Sequence, residues 1–126
     1  MIVMKITKEL KELMSNKLVF FATCDKKSKP NLICVEVNLV ENNKIIFTNN
    51  MLNKTLQNLK ENSLVSVAFY YGGRAFQVKG KAKIEIAGRY FEFVKNISSN
   101  KQWVPKSAIV IEVDEVWDLD SGKKQN

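Results

Sequence analysis

The stretch IIFTNNMLNKTLQNLKENSLVSVAF, Ile45–Phe69, changes character twice. It leaves an apolar, β-forming run at Phe47 and Thr48, crosses a polar junction, takes helical spacing from Lys54 to Glu61, and resumes alternation at Val65, Val67 and Phe69. A strand that runs through a loop into a short helix presents free backbone N–H groups at the helix start, where the macrodipole also favours an anion. Asn53, Lys54 and Thr55 fall in that first turn. Lysine adds a full charge and threonine a hydroxyl donor, so the three together suit a phosphate. The same letters also fit Asn53 as an N-cap with Lys54 merely exposed.

Upstream, Ile6, Leu10, Leu13 and Met14 follow helical spacing over Ile6–Asn16, with Thr7 placed to cap the start. The run KLVFFATC (Lys17–Cys24), the turn-prone DKKSKP and the alternating NLICVEVNLV (Asn31–Val40) read as a β-hairpin. The ENN turn then leads into KIIFT, completing a meander of three strands. Downstream, Gly72 and Gly73 turn the chain into the clearest alternation in the sequence. Phe76, Val78, Gly80, Ala82, Ile84 and Ile86 occupy one face, and Gln77, Lys79, Lys81, Lys83 and Glu85 the other. AGRYFEFVKNISSN fits a helix, AIVIEVDEVWDL a last strand, and a polar tail follows from about residue 118. Six strands joined mostly by short turns predict a β-dominated α+β fold, a six-stranded antiparallel barrel with short flanking helices.

Composition narrows the chemistry. A chain of 126 residues, 45% hydrophobic, suits one domain with a real core, residues 1–126. No apolar run approaches the roughly 20 residues of a spanning helix, so no membrane partner is expected. The first residues, MIVMKITKELKELMSN, lack the pattern of an export signal, which places the chain in the cytoplasm as an expectation. The absence of histidine removes Ser/His and Cys/His catalysis, the usual zinc sets and histidine-ligated haem. Cys24 and Cys34 would face each other only if their hairpin turned about Lys29, and packed thiols are the expectation. The net charge of +7 rests on eighteen lysines against two arginines, which describes a solvated lysine coat or an anionic partner.

The order of these pieces resembles the FMN-binding split-barrel family, which includes pyridoxamine 5′-phosphate oxidase and small FMN-binding electron carriers. The resemblance runs from about Leu10 to Val116 and rests on FFATCDKKSKPNLICV, IIFTNNMLNKTLQNLKENSLVSVAF and AFQVKGKAKI, in the family's order and near its spacing. It implies a split barrel and an FMN cofactor. It also implies that Ile33, Cys34, Val35, Glu36, Val37 and Asn38 lie along the flavin ring, with Phe47 and Thr48 closing over it. Asn53, Lys54 and Thr55 would take the phosphate, Gln77 in FQVKG would stand near the flavin, and a partner subunit would complete the pocket with Trp103. The active unit it implies is a homodimer with flavin at the interface, serving a small-molecule electron donor or acceptor as an oxidoreductase or an electron carrier.

The departures are specific. Asn53 stands where family members often carry an arginine, and Ile33 where they carry a basic residue. The tail VDEVWDLDSGKKQN has no counterpart to the arginines and histidine with which the true oxidase holds its substrate, so vitamin B6 oxidation is not expected. Two other readings fit parts of the sequence. A basic β-barrel could bind single-stranded nucleic acid through Lys79, Lys81 and Lys83 beside Tyr70, Tyr71 and Trp103, although scarce arginine speaks against it. A split barrel without flavin could serve as a binding module.

Overall fold

The computed structural model describes residues 4–50, 52–97 and 104–125. Its elements in order are α1 (Lys8–Met14), β1 (Leu18–Cys24), β2 (Pro30–Glu36), β3 (Leu39–Glu41), β4 (Lys44–Asn49), α2 (Asn53–Glu61), β5 (Leu64–Tyr71), β6 (Arg74–Glu85), α3 (Arg89–Asn96), β7 (Ser107–Asp118) and β8 (Lys123–Gln125). Thr7 caps α1 as its spacing predicts, its hydroxyl accepting from Leu10 N at 3.2 Å. Gly72 and Gly73 form the two-residue β5–β6 turn with φ of 63° and 73°, a geometry that favours glycine at both positions.

All the ladders are antiparallel, and they run in the order β2-β1-β5-β6-β7-β4-β3, with β8 added to β7. The sheet curls into a half-barrel whose two end strands, β2 and β3, are consecutive in the chain. The break between them and a short strand in the tail correct the expected count of six strands to eight, and the ladder is open at β2 and β3. Val37 N donates to Lys17 O at 2.9 Å, whereas Asn38 N donates to Ile46 O at 2.9 Å. Between those two residues the chain leaves the β1 side and joins β4, so one alternating run becomes two strands. The other addition is β8, a short polar strand in the tail that follows a turn at Gly122, φ 73°. Its residues carry no apolar alternation to betray it.

The concave side holds the main core. Phe21 of β1 and Phe47 of β4 meet there, ring centres 5.0 Å apart, among Val19, Val67, Val78 and Ile111. Burial of these side chains supplies the main favourable term for the sheet. A second cluster, Ile46, Ala108 and Val110 with Val94, lies on the other side of β4 and β7 under α3. Gly80 sits at a bulge in the β6–β7 ladder, where a Cβ would lie 2.1 Å from the Glu112 carbonyl oxygen. Only glycine permits that approach. β6 ends at Glu85, so Ile86, read as the last residue of its core face, is 74% exposed instead.

Candidate functional site

At the end of β4, Thr48 projects from the convex side of the sheet and donates its hydroxyl to Asn38 Oδ1 at 2.6 Å, across the β2–β3 bend. Phe47 points the other way, into the core, which leaves its backbone to face the convex side. Asn49 is 1% exposed and ties three segments together: its amide donates to Ser107 Oγ at 2.9 Å, and its carbonyl accepts from Leu52 N at 3.0 Å. Sequence reading passed over Asn49. Its signal is an asparagine closing an apolar strand just before a helix.

Asn53 is the first residue of α2 rather than its cap. The cap position belongs to Leu52, which offers no side-chain bond. The first intrahelical bond is Leu56 N to Leu52 O at 2.8 Å, so the N–H groups of Asn53, Lys54 and Thr55 precede the helical ladder. The explanation of Asn53 as a simple cap therefore fails. Lys54 is exposed, whereas Thr55 is buried and its hydroxyl accepts from Asn31 Nδ2 at 3.4 Å. Further along α2, Asn58 Nδ2 donates to Thr23 Oγ1 at 3.0 Å and Asn62 Nδ2 to Cys24 Sγ at 3.0 Å. Thr55, Asn58 and Asn62 recur at helical spacing, so this polar seam binds α2 to the β1–β2 hairpin.

Asp25, at the hairpin turn, has its carboxyl held below the ordinary range. The Lys29 N–H is the largest cause, with the Lys27 N–H and the Lys54 charge adding to it against a smaller desolvation cost. The Lys54 charge is thus felt at the hairpin turn as well as at the start of α2.

The candidate residues of the second strand divide by face. Ile33 and Val35 pack against the core and Val37 is fully buried, while Cys34 and Glu36 are exposed on the convex side. Because β2 ends the sheet path, one of its backbone edges lies outside the ladder. The carboxamide oxygen of Asn50, at the same junction, is buried and has no hydrogen-bond partner among the described residues. It is an acceptor in want of a donor.

Gln77 is not brought to this junction. It stands on the convex face of β6, donating to Ser66 Oγ at 3.2 Å, in a row that runs Cys34, Phe20, Ala68, Gln77, Trp117 across five strands. Three strand spacings separate it from β2, roughly 14 Å. Trp103 lies outside the described residues, and the aromatic side chain beside Gln77 is Trp117, which sequence reading did not single out. Around that row the convex face exposes apolar side chains, with Leu18, Phe20, Leu32, Leu64 and Tyr70 each more than half exposed, among the charged Glu36, Lys79 and Glu115. Where β3 meets α3, a cavity of about 430 Å³ is lined by Leu39, next in the chain to Asn38, and by Arg89, Tyr90 and Phe93 among others.

Strand pairing places the cysteines and the lysine row. The hairpin turns about Lys27, with Cys24 opposite Pro30 and Cys34 opposite Phe20, so the two thiols are offset along the strands and free. Lys79 stands opposite Glu115 and over the Trp117 ring, and Lys81 opposite Glu112. Those acids interrupt the supposed basic face. Among the described residues no cluster of three or more His, Cys, Asp or Glu side chains could hold a metal, and no helix is long and apolar enough to cross a membrane.

A curled antiparallel half-barrel with a helix entering from its fourth strand defines a split-barrel fold, and comparison with known proteins agrees. The chain matches the pyridoxamine 5′-phosphate oxidase family model over residues 6–120 and belongs to that family. An uncharacterised protein of Methanocaldococcus jannaschii is 30% identical over 126 residues, covering 95% of this chain and 85% of its own. The crystal structure of HupZ from Group A Streptococcus superposes with a TM-score of 0.86 at 29% identity, over 96% of this chain and 99% of that one. An FMN-binding protein from Syntrophomonas wolfei shares the fold, with a TM-score of 0.70 at 17% identity over 89% of this chain and 87% of that one.

Proposed function

We propose that this chain is a single-domain FMN-binding flavoprotein, an oxidoreductase or electron carrier that works as a homodimer in the cytoplasm. The observation that carries the reading is the junction itself: an uncapped first turn of α2, bearing exposed Lys54, beside the free edge of β2 and the Thr48–Asn38 pair. An anion fits the uncapped turn, with Lys54 as its counter-charge and the N–H groups of Asn53 to Thr55 as donors. The buried Asn50 oxygen is an acceptor for a ligand donor. Cys34, Glu36 and Asn38 would flank the ring from β2 and its bend, with Phe47 contributing through its backbone.

When bound, the flavin supplies the redox chemistry, and the protein supplies orientation, hydrogen bonds and exclusion of water. Thr48 and Asn38 fix each other and hence the wall against which the ring lies. Gln77 stands three strands from β2 in its own chain, and a second copy seated on the convex face would bring its Gln77 and Trp117 to the junction. The cavity beside α3 offers the approach for a small electron donor or acceptor.

The test is the absorption spectrum of the purified protein, with mass identification of any released chromophore and titration with FMN. A flavin spectrum and saturable FMN binding are expected. A colourless protein that does not bind added FMN would leave the flavin-free binding module as the better reading.

A further inference from the structure

Beyond Trp117 the convex row continues onto β8, because Lys124 stands directly opposite Trp117 and so points to the same face. From β2 to β8 six strands each place one side chain in line: Cys34, Phe20, Ala68, Gln77, Trp117 and Lys124. Among the described residues no helix covers this row. α1 and α2 give their buried apolar side chains to the concave core, and α3 gives Val94 to the second cluster.

The two ends of the row carry opposite charge. Glu36, one pair along β2 from Cys34, is exposed, and so is Lys124 on β8. Among the described residues neither lies within ion-pair distance of an opposite charge. Charge between the ends is matched inside the chain, where Lys79 stands opposite Glu115 and over the Trp117 ring. An acid at one end, a base at the other and the exposed ring of Phe20 between them make a surface complementary to its own copy, since across a two-fold each end meets the other. The direction of the axis follows from the same charges. An axis across the strands would set each strand on its own copy and Lys124 against Lys124, which like charges oppose.

We propose that a second copy docks with its two-fold axis parallel to the strands at the middle of this row, so that β2 of each copy meets β8 of the other and Glu36 pairs with Lys124 of the partner subunit. That axis lays Lys124 of the partner subunit over Cys34, about 7 Å along β2 from Glu36, a gap that the two side chains span together. It also sets Phe20 against Trp117 of the partner subunit at two symmetric points, and large aromatic side chains of this kind anchor interfaces. The tail strand β8, which has no apolar pattern of its own, becomes the element that fixes the register. The inference deepens the homodimer reading and rests on it, but it requires no flavin.

The experiment is sedimentation equilibrium of the full chain at low salt without added flavin, comparing wild type, Glu36→Lys, Lys124→Glu and the double variant Glu36→Lys/Lys124→Glu, with circular dichroism to confirm folding. Each single reversal brings like charges together at two symmetric places and is expected to weaken the dimer about tenfold. The double variant restores opposite charges and is expected to return to within about threefold of wild type. Single reversals that leave the dimer unchanged, or a double variant as weak as the two singles combined, would overturn the register. A monomeric wild type would overturn it together with the homodimer reading. Titrating the same four proteins with FMN separates this inference from the flavin reading. A dimer that follows the charge pattern but binds no FMN would keep the register while the flavin reading fails, and an FMN-binding dimer indifferent to the reversals would do the opposite.

Discussion

Gln77 of β6 stands directly opposite Trp117 of β7, on the convex face of the sheet and in line with Phe20 and Cys34. One polar amide and one indole thus close a row that is otherwise apolar and open to solvent. An exposed apolar patch of this kind marks an interaction surface. Replacing Phe20 with Asp puts a charge at its centre without disturbing the concave core. The dimer proposed for the wild type is expected to fall to a monomer on sedimentation of this variant, and flavin to be lost with it. A variant that stays dimeric, or a monomer that keeps full flavin affinity, would contradict the placement of the interface.

Asn49→Ala removes one buried and one part-buried hydrogen bond at once, to Ser107 Oγ and from the Leu52 N–H. The loss is expected to cost about 2 to 4 kcal/mol in urea unfolding, since each buried group left unpaired costs about 1 to 3 kcal/mol.

At Gly80 an added methyl would collide with the Glu112 carbonyl of the neighbouring strand. Gly80→Ala is therefore expected to destabilise by about 3 kcal/mol or more, through displacement of the bulge rather than loss of any side-chain contact. Gly73→Ala is the comparison, because no atom lies within 4 Å there and only the positive φ opposes it. Thermal unfolding of the two variants should rank Gly80→Ala as the more severe.

Much of this was legible in the sequence. The strand-loop-helix junction at Ile45–Phe69, the cap at Thr7 and the alternation of β6 each follow from short-range chemistry that tertiary packing did not override. Splitting of Asn31–Val40 was not legible, because the partner switch at Val37 and Asn38 depends on which strand lies on each side and leaves the alternation intact. The tail strand β8 was missed because its pairing with β7 is made by backbone, without an apolar pattern. Within the candidate site, Lys54 stood out by its place in a helix start. Asn49, Asn31 and Trp117 act through neighbours 58, 24 and 40 residues away in the chain, and no local pattern carries that information.

Glu41 and Arg89 pin α3 to β3, and Arg89 also lies over the Tyr90 ring. The Arg89 hydrogen bond, and then its charge, hold the Glu41 carboxyl below its ordinary 4.5 against the opposing effect of burial. A carboxyl depressed in the folded state stabilises fully above its unfolded pKa and loses that contribution as pH falls through the lower folded value. The contribution of this pair should thus be intact at neutral pH and fade below about pH 4.5. In an acid titration of stability, Arg89→Ala should lie below wild type at pH 7 and converge with it in acid. A constant gap across that range would remove the ion pair as the cause.

The most direct test of the flavin reading is the affinity of the Lys54→Ala variant for FMN and for riboflavin, with circular dichroism to confirm that α2 remains folded. If Lys54 holds the phosphate, FMN should weaken about tenfold to a hundredfold, as expected for loss of a charge-assisted hydrogen bond, and riboflavin should be nearly unaffected. Equal weakening of both ligands, or of neither, would contradict a phosphate at the start of α2.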